Sequence, residues 1–311
     1  MLNLPEQNAT KLTFSGHDTF PLRYGWLKKS YDALIKAENN DLNARQVFSA
    51  NDAIATFGVG KNMVSSMRHW CNVTNLLNEE NMLTDFAKKV FADDGLDPYM
   101  ENPITLWIIH YSLATNPRLL TYYWFFNINN SLNLDRKTLQ NEVEKFCVDS
   151  DYGKPSSNTL KRDVECFVRL YMYRTTQNND DAIESPLTEL GLIVPIHKQG
   201  FFSFNRGAKQ TLPAIVFWGA LFKFWKESHK TQHTLALNNI AYKPLSPGRV
   251  FLLDENSIVE YIYNSIHLFD GQVEWSETAG NRQLQLSAKI TLEELDSKCN
   301  KLIEESYNNE I

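Results

Sequence analysis

His17 and Asp18 stand side by side in Phe14-Ser-Gly-His-Asp-Thr-Phe20. A histidine beside a carboxylate is what a hydrolytic site uses as a general base with its orienting partner, or as two metal ligands. Asp97 and Glu101, four residues apart, offer a second pair of carboxylates to a metal. Each pair also has a bland reading, and it is the commoner one: a capped turn with a hydrogen-bonded histidine, and two residues that begin helices. His229 and His233 have the spacing of some zinc sites, but no adjacent acid or third ligand accompanies them. They read as surface polar residues. His110 lies in Ile104-Thr-Leu-Trp-Ile-Ile-His-Tyr-Ser-Leu113, apolar nearly all round, and reads as a satisfied core histidine.

Binding a nucleic acid calls for a helix face with short polar groups, a few cations and no carboxylate. Phe57-Gly-Val-Gly-Lys-Asn-Met-Val-Ser-Ser-Met-Arg-His-Trp70 fits that description. Val59, Met63, Met67 and Trp70 share one face, and Lys61, Asn62, Ser65, Ser66 and Arg68 occupy the others. Ahead of it, Ser49 to Phe57 has helical spacing with Ser49 as a cap, and Gly58-Val-Gly60 breaks the helix. Two short helices joined by a glycine turn form a helix-turn-helix, whose second helix can enter the major groove. A helix pair in an all-helical core explains this stretch equally well.

A second candidate is stronger. Leu139 to Val148 reads as a helix, and Ser156 or Ser157 caps another through Tyr171. Leu160, Val164, Phe167, Val168 and Tyr171 form its apolar stripe, and Lys161, Arg162 and Arg169 lie off it. Val194-Pro-Ile-His-Lys-Gln-Gly-Phe-Phe-Ser-Phe204 reads as a hairpin about Gly200, with Lys198, Arg206 and Lys209 nearby. A basic helix followed by a hairpin is the winged-helix pattern. After the first unit, the turn Asn78-Glu-Glu-Asn81 with weak strand signals beside it would be the corresponding wing.

These elements imply five regions: 1–45, a turn and a helix; 46–92, the first winged-helix-like unit; 93–150, an aromatic-rich helical segment; 151–210, the second winged-helix-like unit; and 211–311, a C-terminal helical domain with an acidic tail. Residues 1–13 read as a loose arm. Asp18 or Thr19 is expected to cap a helix carrying Pro21 in its first turn, and Asp97-Pro98 and Asn102-Pro103 are expected to open helices. Tyr122-Tyr-Trp-Phe-Phe-Asn127 could stack on bases, with interior packing as the default. Leu245 to Asp254 reads as a turn into a strand, Glu255 to Tyr263 and Leu292 to Tyr307 as helices, and Arg282 stands isolated among acids. The fold class is mainly α with small β-hairpins: tandem winged-helix-like units joined by a helical domain.

With 311 residues, 43% of them hydrophobic, the chain can bury a large core in two or more domains. Its net charge of −6 is uneven. Residues 254–311 carry twelve acids and four bases, whereas 198–253 carry eight bases and one acid. That allows a basic nucleic-acid face beside an acidic one that repels DNA or docks a basic partner. Cys71, Cys147, Cys166 and Cys299 are scattered, which argues for reduced thiols rather than a disulfide or zinc framework. No window reaches membrane-spanning length and no charged-then-apolar leader is present, so a soluble cytoplasmic protein is expected. There is no glycine-rich phosphate loop, serine nucleophile motif or dinucleotide fingerprint, and no cofactor is evident.

Several stretches together resemble one family. They are Phe14-Ser-Gly-His-Asp-Thr-Phe-Pro-Leu-Arg-Tyr-Gly-Trp-Leu-Lys-Lys29, Gly58-Val-Gly-Lys-Asn-Met-Val-Ser-Ser-Met-Arg-His-Trp70, Asp97-Pro-Tyr-Met-Glu-Asn-Pro-Ile-Thr-Leu-Trp107, Thr159-Leu-Lys-Arg-Asp-Val164, Ser185-Pro-Leu-Thr-Glu-Leu-Gly-Leu-Ile193 and Ser246-Pro-Gly-Arg-Val-Phe251. The family is that of the SspB-type components of single-strand DNA phosphorothioation systems, domain-of-unknown-function family 4007. The resemblance spans nearly the whole chain. It implies a protein that nicks DNA beside a cysteine desulfurase, an ATPase and a sulfotransfer protein related to PAPS reductases, and it carries over no catalytic residue. If nicking is intrinsic, His17, Asp18, Asp97 and Glu101 are the first candidates, with Mg²⁺ or Mn²⁺ to stabilise the leaving oxygen. Other classes remain open: a DNA-binding regulator without chemistry, a homodimer among the forms it could take, or an adaptor that binds proteins.

Overall fold

The computed structural model describes residues 12–173 and 185–308, apart from 197, 199, 230 and 279. The expected arm falls outside it for residues 1–11. The described residues form two compact units. One runs as far as Phe204 without Phe126–Ile128; the other holds those three residues and everything from Asn205 onward.

The first unit opens with five helices: α1 (Trp26–Glu38), α2 (Ala44–Ser49), α3 (Ala53–Phe57), α4 (Lys61–Val73) and α5 (Asp85–Phe91). The helix expected from Asp18 or Thr19 starts later. Both residues have positive φ, and the chain enters α1 through Gly25 at φ 74°. The helix expected over Ser49–Phe57 is two helices. Asn43 caps α2 in a full capping box, and Ser49 closes it, donating to the Arg45 carbonyl. Between α3 and α4 lies the glycine turn, with Gly58 in the left-handed region and Gly60 at the start of α4. The weak strand signal after α4 amounts to a single bridge, Leu77 to Leu83.

Two buried helices follow, α6 (Pro103–Ala114) and α7 (Leu120–Tyr123). Asn102 caps α6 ahead of Pro103, as expected, but Asp97 opens no helix. His110 is buried and hydrogen-bonded to the Tyr171 hydroxyl at 2.9 Å. The aromatic run is interior: Tyr122 and Phe125 pack their rings on Phe167.

The remainder of the first unit is β1 (Asn133–Asp135), α8 (Arg136–Asp149), α9 (Ser157–Tyr171), β2 (Ile193–Pro195) and β3 (Phe201–Phe204). The expected hairpin is present, and β1, unforeseen, pairs antiparallel with β3 to give the order β1-β3-β2, with Leu134 opposite Phe202. Asp135 ends β1 and caps α8 at once, accepting from Lys137 N–H and Thr138 N–H.

The second unit contains α10 (Ala214–Ser228), β4 (Thr234–Ala236), α11 (Leu237–Tyr242), α12 (Pro247–Val250), α13 (Glu255–Ser265), β5 (Val273–Thr278), β6 (Asn281–Leu286) and α14 (Leu292–Ser306). The helical domain expected here carries a second three-stranded antiparallel sheet, in the order β4-β6-β5. The strand expected after Leu245 is the short helix α12, because Ser246 caps it and Pro247 fixes its first turn. Gly248 has no alternative: a Cβ there would stand 2.5 Å from the Ala241 carbonyl oxygen. α10 is buried through Trp218 and Trp225, and α14 covers it with Leu292, Leu295 and Cys299 inward. All four cysteines are buried thiols. No described helix is long and apolar enough to cross a membrane.

Candidate nucleic-acid interface

On α9, the apolar stripe Leu160, Val164, Phe167, Val168 and Tyr171 is fully buried, and that burial turns Lys161 and Arg162 outward. Neither is ion-paired with a described residue. The helix starts at Ser156, whose side chain makes no capping bond. Lys198 is exposed on the hairpin between β2 and β3, its ammonium 3.8 Å from the centre of the Phe201 ring. Arg169 is half-buried, with its guanidinium donating to the Thr19 carbonyl at 3.1 Å. Arg206 is the last of the cations expected here. It lies past the end of β3, in the second unit, beside Lys209. The Lys209 ammonium donates to the carbonyls of Asn205, Gly207 and Leu252, and burial pulls its pKa down to about 8.

On α4, Lys61, Asn62 and Ser65 are exposed and Arg68 is half-exposed, whereas Ser66 points the other way. Its hydroxyl is fully buried and donates to the Phe20 carbonyl at 3.1 Å, so Ser66 is corrected from a contact residue to an interior one. A cap or wheel argument cannot see this, because the acceptor comes from a segment 46 residues away.

The catalytic candidates are arranged differently from their order in the chain. His17 is 2% exposed and faces Asp163 of α9 rather than Asp18, with 3.0 Å between His17 Nε2 and Asp163 Oδ1. The Thr19 N–H donates to His17 Nδ1, also at 3.0 Å. Nε2 therefore carries the proton and donates to the carboxylate, and both ring nitrogens are engaged. Asp163 also accepts from the Thr121 hydroxyl, and burial raises its carboxyl above the ordinary range against the pull of those two donors. His69, in edge contact with the His17 ring, is held neutral: burial and His17 push its pKa down to about 3. Asp18 is exposed.

Asp97 is likewise spoken for. Its carboxylate accepts from the backbone N–H groups of Glu101 and Asn102 and from the Thr105 hydroxyl, at 2.8, 3.1 and 2.5 Å. It staples the turn before α6 to that helix, while the Glu101 side chain is exposed. Among the described residues no three His, Cys, Asp or Glu side chains are grouped to hold a metal ion, so the proposed quartet does not fit one as a group. His229 is half-buried and His233 exposed. The residues that sequence reasoning missed are Asp163, Thr121 and Trp70, whose indole N–H shares the Phe20 carbonyl with Ser66 at 3.0 Å. The one sign of Asp163 was a carboxylate standing on the buried side of a basic helix.

A mainly helical chain with two small three-stranded sheets and this turn-bound histidine belongs to DUF4007, a family of proteins of unknown function whose model matches residues 14–307. Its fold is shared with two solved structures of SspB. A magnesium-ion-bound SspB crystal structure matches at TM-score 0.83 and 24% identity, over 99% of this chain and 91% of that one. An SspB crystal structure matches at 0.82 and 24%, over 97% and 90%. No curated protein matches the chain.

Proposed function

We propose that this protein is the DNA-handling component of a DNA phosphorothioation system, binding duplex DNA and holding one strand for sulfur insertion. The observation that carries the reading is the order β1–α8–α9–β2–β3, with the first strand pairing to the last. That order supports a winged-helix reading, in which α9 would be the recognition helix, exposing Lys161 and Arg162, and the β2–β3 hairpin with Lys198 would be the wing. The helix-turn-helix order of α3 and α4, with Lys61, Asn62, Ser65 and Arg68 toward solvent, supports a second contact. These side chains suit phosphates more than base edges, so they would position the duplex rather than read it. The SspB likeness supports the choice of system, and with it a cysteine desulfurase, an ATPase and a PAPS-reductase-like sulfotransfer protein as partners.

Positioning is favoured over a nick by His17 and Asp97, because the fold already occupies their nitrogens and oxygens. A nick made by this chain with Mg²⁺ or Mn²⁺ would fall to exposed carboxylates, Asp18 and Glu101 being the candidates. A reading as a partner-binding adaptor draws on α13, whose solvent side carries Glu260, with Glu274 and Glu277 on the adjoining hairpin.

The test is fluorescence anisotropy with a labelled duplex at two salt concentrations, beside supercoiled plasmid incubated with Mg²⁺ or Mn²⁺. Contacts to about four phosphates should weaken binding about a hundredfold between 50 and 200 mM salt. Binding that ignores salt, or none, would overturn the DNA reading. Open-circular product that survives Asp18→Asn/Glu101→Gln would remove those two residues from any nick.

A further inference from the structure

The turn Ser15–Phe20 holds both candidate recognition helices, which otherwise pack on different neighbours. α4 packs chiefly on α1, α2 and α3, and α9 on α8, on the 3-10 turn Pro186–Leu190 and on α7. On the α9 side, His17 is bonded to Asp163 and the Thr19 carbonyl accepts from Arg169. On the α4 side, the Phe20 carbonyl accepts from both Ser66 and Trp70. His69 of α4 closes against the turn so tightly that a Cβ on Gly16 would lie 2.3 Å from its Nδ1.

Where the turn grips each helix also matters. Asp163 directly follows Lys161 and Arg162, and Ser66 directly follows Ser65. A helix rises about 1.5 Å per residue, so each grip lies within roughly one turn of the exposed groups it would align. His17 and Asp163 are each 2% exposed, so their bond is shielded from the competition that weakens surface pairs.

We propose that His17 is a positioning residue: through Asp163 on α9, and through the turn whose Phe20 carbonyl accepts from Ser66 and Trp70 of α4, it sets the spacing at which both helices engage one duplex. This rests on the DNA-binding reading above. A duplex that accepts both helices gains the second without a second association step, so a loosened spacing costs affinity only on duplexes long enough for both.

Two substitutions separate this role from mere support of the turn. His17→Asn keeps an oxygen where Nδ1 accepts from Thr19 but cannot reach Asp163. His17→Gln keeps an N–H where Nε2 donates to Asp163. Affinity and its salt slope are measured by anisotropy on duplexes of about 12 and about 30 base pairs, lengths chosen for one helix and for two. The wild type should show the steeper slope on the longer duplex. His17→Asn should bind the longer duplex about tenfold more weakly, with its slope reduced toward that of the shorter, and His17→Gln should restore both. The Ser66→Ala/Trp70→Phe variant, which frees the turn from α4, should behave as His17→Asn; it takes that variant's place if His17→Asn does not melt cooperatively. Equal losses on both duplexes, no loss on the longer, or a Gln variant that behaves as Asn would overturn the proposal while leaving DNA binding intact. A wild type that binds neither duplex overturns the DNA reading and this inference with it.

Discussion

Between β1 and β3 the chain makes a strand, two helices and a hairpin whose last strand returns to the first; between β4 and β6 it does the same, with the short α12 added. Their helices face solvent differently. α9 shows Lys161 and Arg162 there, and Glu165 is drawn off by Arg136 at 3.0 Å. α13 shows Asn256, Glu260 and Tyr263, and its first residue, Glu255, binds Arg282 at 3.5 Å and the Tyr242 hydroxyl at 2.8 Å. Arg282 is thus not isolated: it bridges Glu255 on the helix and Glu277 on the hairpin. One backbone order has been given two electrostatic characters, which is what is expected when topology satisfies the core and surface residues carry the function.

The largest effects test whether α9 and α13 are equivalent parts. Phe167→Ala removes a ring packed on Tyr122, Phe125 and Tyr171 and should cost about 3–5 kcal/mol in denaturant unfolding. Ile258→Ala, equally buried in α13, should cost about 2–5 kcal/mol. A loss below about 1 kcal/mol for either would mean its helix is not a core element, and the comparison would break.

The contrast in charge comes next. Lys161→Glu/Arg162→Glu should weaken duplex binding about a hundredfold at moderate salt and flatten the salt slope by about two. Glu260→Lys/Glu274→Lys, on the other module, should leave affinity within about threefold. Comparable losses from both pairs, read by anisotropy, would erase the distinction between the modules.

Smaller effects follow from the caps. Asp135 caps α8 and Asp254 caps α13, and both carboxyls are held below the usual carboxylate range, Asp135 first by the Thr138 N–H and Asp254 first by Ser257. Asp135→Ala and Asp254→Ala should each cost about 1 kcal/mol at pH 7. A depressed folded pKa gives stability that is fully present above the unfolded pKa and fades as pH falls through the folded one. The gap between each variant and the wild type should therefore close in acid; a gap that persists there would assign the effect to packing instead.

The smallest response expected is from the thiols. Burial raises all four cysteine pKa values, to about 12 for Cys71 and Cys299 and about 11 for Cys147. Iodoacetamide at pH 8 should label none of them in the native protein and all four after denaturation, as counted by mass. Rapid labelling of Cys147 or Cys166 alone would show that the α8–α9 module opens more readily than the second unit.

Much of the local structure was legible because its causes are local. Asn102-Pro103, the α9 stripe and the hairpin about Gly200 each depend on residues a few positions apart, and each is present. Beyond that hairpin, the sheets were not legible. β1 and β4 are three residues long, and a strand of that length is defined by the partner it meets some 70 or 50 residues away. The candidate site divides along the same line. Which residues lie off the apolar stripe of α9 followed from the period of 3.6, so the outward placement of Lys161 and Arg162 was legible. That His17 would choose Asp163 over its neighbour Asp18 and that Ser66 would turn inward were decided by tertiary packing alone. The 15–20 turn bonds to two helices, one ending at Val73 and the other beginning at Ser157, 84 residues on. A buried imidazole takes the donor and acceptor that folding brings to it, not those nearest in sequence.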